Sequence, residues 1–247
     1  EKFTLKHLQD LVLTGKTRDI KWRTKQINKL VDLLENHQSE ILNALREDLQ
    51  KPPTEAFFEI IAVKQELNVV KKNLSKWMKP QQINIPFSLK PARAEIQPDP
   101  LGCILIIGPW NYPFSLTLQP LVGAFAAGNT AVLKPSEHAP QVSMLIKNLI
   151  EKYFSKEIVH VIEGDGTVAA DLLTQKFDHI FFTGGESIGK KVMEAAAKNL
   201  TPVTLELGGK SPAIVIDGAN LEVTAKRLIW GKSLNAGQTC IAPDHLL

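Results

Sequence analysis

Cys240 has the sequence setting of a nucleophile. It lies in Asn235-Ala-Gly-Gln-Thr-Cys240-Ile-Ala-Pro-Asp244, between a glycine turn and a proline, and is one of only 2 cysteines in the 247-residue chain. A thiolate attacks carbonyl carbon, and the thioester it forms divides one hard step into two. That chemistry also needs a base, a donor for the developing oxyanion and an electron acceptor. For the thiol alone, an ordinary structural cysteine is the simpler reading. A candidate base lies upstream: Glu206 follows Thr204-Leu205 and precedes Leu207-Gly-Gly-Lys-Ser-Pro212. Burying its anion between two leucines is costly, which is how a carboxylate becomes useful as a general base unless it faces solvent. A candidate oxyanion donor is Asn111, in Gly108-Pro-Trp-Asn-Tyr-Pro113. Its amide serves equally well as a helix cap or as a donor in a cleft, and the fragment leaves both open.

Two further stretches have the chemistry to hold a nucleotide. In Leu133-Lys-Pro-Ser-Glu137, Lys134 and Glu137 occupy the turn after a short apolar strand, where an α/β fold grips an adenosine ribose; solvated surface charges are the alternative. Gly184-Gly-Glu-Ser-Ile-Gly189 follows Phe181-Phe-Thr183 and opens a helix, so its backbone could approach a pyrophosphate closely. The spacing is neither G-x-G-x-x-G nor a P-loop, and alone it reads as a tight strand-to-helix turn. Cys103 lies inside the continuous apolar run Cys103-Ile-Leu-Ile-Ile107 and is expected to be an inert core thiol.

The elements that must position these residues follow from periodicity. Ile27, Leu30, Val31, Leu34, Ile41, Leu42, Leu45 and Leu49 recur at helical steps, giving one or two amphipathic helices with a break near Asn36-His37. Pro52-Pro53 ends that pattern, and a second helical stretch runs from Thr54 to Met78. Trp22, Trp77 and Met78 are expected to pack in the core or an interface. Between Pro80 and Pro100, Ile83, Ile85, Phe87 and Leu89 alternate with polar or proline positions, as in an edge ribbon or hairpin that makes a candidate oligomer contact. After Gly102, strands at 103–107, 130–133, 158–162, 179–183, 203–207 and 213–216 alternate with helices at 114–127, 140–154, 168–174 and 188–198. This alternation predicts an α/β fold, a mainly parallel sheet covered on both faces, with its ligand site at the carboxyl ends of the strands.

Composition excludes other classes. Lys and Arg total 29 against 26 Asp and Glu, and the net charge of +3 is not gathered into a block, so nucleic acid is not an expected partner. The cysteines form neither a disulfide framework nor a metal-ligand pattern, which points to a reducing cytoplasm. No apolar run approaches the ~20 residues of a spanning helix.

Taken together, Pro109-Trp-Asn-Tyr-Pro113, Leu133-Lys-Pro-Ser-Glu137, Phe182-Thr-Gly-Gly-Glu-Ser-Ile-Gly189, Leu205-Glu-Leu-Gly-Gly-Lys-Ser-Pro212 and Gly237-Gln-Thr-Cys240 resemble the motifs of the aldehyde dehydrogenase superfamily, in order and at similar spacing. Lys198-Asn-Leu-Thr-Pro-Val-Thr204 and Cys240-Ile-Ala-Pro-Asp244 resemble its class 3, or fatty aldehyde, branch. The resemblance implies a Rossmann-like cofactor domain and oxidation of an aldehyde, medium- or long-chain aliphatic or aromatic, to its acid with NAD, NADP use being left open. It implies Cys240 as nucleophile, Asn111 with the Cys240 backbone amide as oxyanion donors, and Glu206 as the base that activates water. Trp110, Lys134, Glu137, Gly184, Gly185, Ser187, Gly189 and Leu207 would line the cofactor. Gly185 stands where many relatives carry serine, so backbone contacts are expected there, with Glu186 pointing away from the phosphates.

The implied division is 1–79 as helices packing on the cofactor domain, 80–100 as a ribbon for oligomerisation, 101–207 as the dinucleotide-binding domain and 208–247 as the truncated start of a catalytic domain. A homodimer is implied, with the C-terminal half of the same protein required and residues 1–247 alone inactive. A C-terminal membrane tail of the kind some relatives carry would lie outside these residues. The competing readings are a CoA-acylating or phosphate-linked semialdehyde dehydrogenase, neither of which needs the base, and a non-catalytic nucleotide-binding fragment.

Overall fold

A computed structural model describes residues 4–247. Its first four helices are α1 (Leu5–Leu13), α2 (Ile20–Asn36), α3 (Gln38–Leu49) and α4 (Pro53–Trp77). α2 starts where the Asp19 carboxylate accepts the Lys21 N–H at 2.8 Å, a side-chain N-cap. The break between α2 and α3 falls at His37, and Pro53 opens α4 at a position whose missing N–H costs nothing. The apolar stripes of these helices, including Ile27, Leu30, Leu34, Ile41, Leu45, Ile60, Val63 and Leu67, are buried in one core. Trp22 joins it, meeting Phe125 edge-on with ring centroids 6.3 Å apart.

β1 (Gln81–Ile83) and β2 (Ala94–Ile96) form the expected antiparallel ribbon, with Gln81 opposite Ile96. Ile83, Phe87, Leu89 and Ile96 are exposed on it. The main sheet then begins: β3 (Cys103–Ile107), α5 (Ser115–Ala126), β4 (Thr130–Lys134), α6 (Pro140–Tyr153), β5 (Val159–Val161), α7 (Gly166–Leu173), β6 (His179–Gly184), α8 (Glu186–Ala197) and β7 (Val203–Leu207). All five strands are parallel in the order β5-β4-β3-β6-β7. The chain builds outward from β3 in one direction and then resumes on its other side at β6. That reversal places a crevice at the carboxyl ends of β3 and β6.

β3 shows how the strands bind two layers together. Ile104 and Ile106 belong to the core shared with α2 to α6, while Cys103, Leu105 and Ile107 belong to the second core with Leu8 and residues of α7 and α8. All five are buried, and each large aliphatic side chain contributes about 1.5–3 kcal/mol on leaving water.

Past β7 the structure departs from expectation. The strand expected at 213–216 shrinks to β8 (Pro212–Ala213), which pairs in parallel with β9 (His245–Leu246) and stands apart from the main sheet. β-Branched composition gives Ile214 to Ile216 strand propensity, but the main sheet does not receive them. Ile214 and Ile216 are exposed, and Val215 makes one rung, its N–H donating to the Leu247 carbonyl at 2.9 Å. Between these strands lies α9 (Leu221–Ser233), capped by Asn220, none of whose residues is buried.

Candidate active site

The turn after β3 is held from below by a buried ion pair. Lys51 Nζ lies 2.5 Å from Glu59 Oε1, with side chains 2% and 0% exposed. The other oxygen of Glu59 accepts from Phe114 N at 3.0 Å, Ser115 N at 2.9 Å and Ser115 Oγ at 3.3 Å. A carboxylate borrowed from α4 thus caps α5, whose first-turn amides have no side-chain cap of their own and whose dipole favours the negative charge. Lys51 Nζ also donates to the Asn111 carbonyl at 3.0 Å and sits 4.0 Å from the centre of the Tyr112 ring. Burial pushes the Lys51 ammonium below the ordinary lysine value, outweighing the opposing pull of Glu59. At the start of the turn, Gly108 leaves little room for a Cβ, which would run into the Thr117 hydroxyl.

These bonds exclude one of the two readings of Asn111. It does not cap α5, because the N-cap position is Phe114. Its Nδ2 instead donates to the Gln238 carbonyl at 2.9 Å, two residues before the thiol.

The cysteine loop is itself unusual backbone. Asn235, Ala236 and Gly237 all have left-handed conformations, with φ of 52°, 54° and 80°. Gly adopts this freely and Asn tolerates it, but for Ala it costs roughly 1–3 kcal/mol. Tertiary bonds hold the loop: Asn235 N donates to Glu55 Oε2 at 2.7 Å, Asn235 Nδ2 to the Asn111 carbonyl at 2.8 Å, and Tyr112 Oη and Thr239 Oγ1 are 2.6 Å apart. Cys240 emerges from it exposed and unpaired. Cys103 is fully buried and desolvation pushes its thiol up to about 12. Iodoacetamide at pH 8 is therefore expected to alkylate Cys240 and spare Cys103 in the native protein. Peptide mapping checks this, and comparable labelling of Cys103 would contradict it.

Cys240 and Glu206 line one cavity of about 500 Å³, between α5 on one side and Phe181, Thr183 and Leu207 on the other. Glu206 stands beside Thr183 in the β6–β7 register. It is exposed, which corrects the expectation that its two leucines bury it. The reason is the period of a strand: Val203, Leu205 and Leu207 all pack in the α8 core, so Glu206 projects from the opposite face, into the cavity. Apolar neighbours in sequence are not neighbours in space on a strand.

At the next strand ends, Lys134 Nζ pairs with Glu137 Oε2 at 2.5 Å, the lysine 3% and the glutamate 34% exposed. Burial raises the Glu137 carboxyl, but Lys134 and its own backbone N–H outweigh that and hold it below the usual glutamate value. Gly184 ends β6, Gly185 is the N-cap of α8, and Ser187 is exposed in its first turn. Glu186 is turned outward onto Lys190 at 2.7 Å, both 71% exposed. Gly189 has a packing role: a Cβ there would come within 2.8 Å of Leu207 Cδ2. Trp110 is 42% exposed beside Asn111. The open space over Gly185, the α8 amides without a side-chain cap and the Lys134–Glu137 pair fit a dinucleotide laid across the strand ends.

The sequence reading did not single out Lys51, Glu55, Glu59, Tyr112, Asn235 or Thr239. A signal for Glu59 was present, a lone charge within Phe57-Phe58-Glu59-Ile60-Ile61 on a helix.

Residues 14–247 match the model of the aldehyde dehydrogenase family. The chain is 46% identical over 235 residues to aldehyde dehydrogenase family 3 member H1 of Arabidopsis thaliana, covering 94% of this chain and 49% of that protein. It is 41% identical over 235 residues to the dimeric NADP-preferring aldehyde dehydrogenase of Canis lupus familiaris, covering 95% and 52%. Among solved structures, the substrate-bound state of Staphylococcus aureus AldH superposes with a TM-score of 0.94 at 43% identity, covering 98% of this chain and 53% of that one. The chain thus spans about half the length of the curated relatives it matches.

Proposed function

This chain belongs to the aldehyde dehydrogenase family, and from that premise we propose that it carries the thiol, the oxyanion donor, the base and the dinucleotide seat of an enzyme that oxidises aldehydes to carboxylic acids. The observation that carries this reading is the shared cavity of Cys240 and Glu206, with the Cys240 loop bonded to the Asn111 loop. The activity belongs to the intact protein, with the C-terminal half of the same protein required.

Cys240 Sγ, as thiolate, forms a bond to the aldehyde carbon, and the carbonyl oxygen takes the negative charge. One N–H of the Asn111 amide is engaged by Gln238, and the second is free to donate to that oxygen together with the Cys240 backbone N–H. When bound, the nicotinamide supplies the acceptor for the hydride that leaves the same carbon, and a thioester remains on Cys240. Glu206 takes a proton from water as its oxygen attacks that thioester. The carbon–sulfur bond then breaks, releasing the acid and restoring the thiolate. A base in the cavity favours water as acyl acceptor over CoA or phosphate.

Lys134 and Glu137 would hold the adenosine ribose. Gly184, Gly185, Ser187 and the α8 start would meet the pyrophosphate through backbone amides, Gly189 would keep α8 close to Leu207, and Trp110 and Leu207 would border the ring. The Glu137 anion opposes a 2′-phosphate and Lys134 offsets it, so NAD with some NADP use is expected; one relative is NADP-preferring. The apolar wall formed by Leu116, Pro120 and Phe181 suits an aliphatic or aromatic aldehyde. Residues 101–207 would form the dinucleotide-binding domain and 208–247 the first part of the catalytic domain. The exposed apolar residues of 80–100 would meet a second subunit in a homodimer. Among the described residues no helix is long and apolar enough to cross a membrane, and two unpaired thiols suit a reducing cytoplasm.

The intact protein with an aldehyde and NAD is expected to yield acid and reduced cofactor in equal amounts without CoA or phosphate. Dependence on CoA or phosphate would favour the acyl-transferring alternative, binding of NADP only would reject the cofactor assignment, and silence across aliphatic and aromatic aldehydes would reject the function.

A further inference from the structure

We propose that Lys51, Glu55 and Glu59 are positioning residues that set the Asn111 amide against the Cys240 thiol. The inference rests on the functional reading above and extends it to residues that touch neither substrate nor cofactor.

Both halves of the site are loops without regular backbone bonding, and both are fastened to the same point. Glu55 and Glu59 are one helical turn apart on α4, so their carboxylates leave the helix on one face. Glu55 receives the Asn235 N–H, at the start of the left-handed run that presents Cys240. Glu59 receives the Phe114 and Ser115 amides and the Lys51 ammonium, and Lys51 passes the restraint to the Asn111 carbonyl. That carbonyl also accepts from Asn235 Nδ2, which closes the circuit between the loops. A buried ion pair is poor evidence for stability, since well-packed apolar residues of similar size serve as well. This pair instead ends on Asn111, whose side-chain amide donates to the thiol loop at the Gln238 carbonyl. Helix α4 is 25 residues long and packed on α2 and α5, so it offers a rigid frame for groups that must stay fixed to a fraction of an ångström.

Lys51 acts through Asn111, so its effect must vanish when the Asn111 amide is gone. In the intact enzyme with NAD and an aldehyde, Lys51→Met is expected to slow the first burst of reduced cofactor by about ten- to a hundredfold. The dissociation constant for NAD should stay unchanged. In an Asn111→Ala background the same Lys51→Met change should cost less than twofold further. Because Lys51→Met leaves Glu59 buried without its partner, the charge-neutral double variant Lys51→Met/Glu59→Gln is measured beside it and should show the same loss and the same coupling. Equal losses in the presence and absence of the Asn111 amide would overturn the positioning role, as would an unchanged burst in the double variant. A parent enzyme that gives no burst with any aldehyde would instead remove the functional reading, and this inference with it.

Discussion

Cys240→Ala is expected to abolish aldehyde oxidation, lowering kcat by at least about 10⁴-fold, the scale seen when a covalent nucleophile is removed. The loss should appear in the first turnover as well as the steady state, because without the thiol no adduct forms from which a hydride can leave. The cofactor seat lies on other elements: Lys134 ends β4 and Glu137 follows it, and Gly184 to Gly189 span the end of β6 and the start of α8. The dissociation constant for NAD, followed by fluorescence, should therefore stay within about twofold of the parent value. Nor should the fold suffer, since Cys240 is exposed and fills no space in either core. Cys103→Ala is the matched control, and it should retain activity while losing stability, because that side chain is buried in the second core. Substantial turnover by Cys240→Ala would assign the nucleophile elsewhere.

Glu206→Gln is expected to separate the two halves of the reaction. Thiol addition and hydride departure need no base at residue 206, so the burst of reduced cofactor should persist with near-full amplitude. Release of the acid does need one, and turnover should fall by about 10²–10⁴-fold, the usual contribution of a positioned general base. The amide is close in size to the carboxylate and Glu206 is exposed, so a folding defect is not expected to obscure the result. Full turnover in this variant would remove Glu206 from the role. A strong nucleophile such as hydroxylamine should partly restore turnover by attacking the thioester without needing a base.

Most of the fold follows from short-range patterning. The helical stripe of residues 27–49, the proline stop before α4 and the alternation after Gly102 all correspond to elements whose buried faces lie where the periodicity puts them. What patterning could not supply was the fate of 213–216. A run of β-branched residues joins a sheet only where an edge receives it, and residues 212–213 pair with 245–246 rather than with the main sheet.

At the site, Cys240, Asn111 and Glu206 could be picked out by residue type and local motif. The rule that marked Glu206, a charge between apolar neighbours, misjudged its burial because a strand sends alternate residues to opposite faces. The same rule would have succeeded for Glu59, where helical geometry leaves the charge on the core side of α4 and burial forces it to find Lys51. The bracket made by Lys51, Glu55 and Glu59 joins residues of α4 and its approach to loops far along the chain. Such long-range hydrogen bonds leave no periodic trace in a sequence.

The central claim is that the acyl group is carried on Cys240 until Glu206 activates water. Its most direct test is to mix the Glu206→Gln enzyme with NAD and an aldehyde, quench in acid after the burst and map the peptides by mass. The expected result is the mass of the acyl group on the peptide containing Cys240, in amount equal to the burst. An acyl group on any other residue, or reduced cofactor accumulating with Cys240 unmodified, would contradict it.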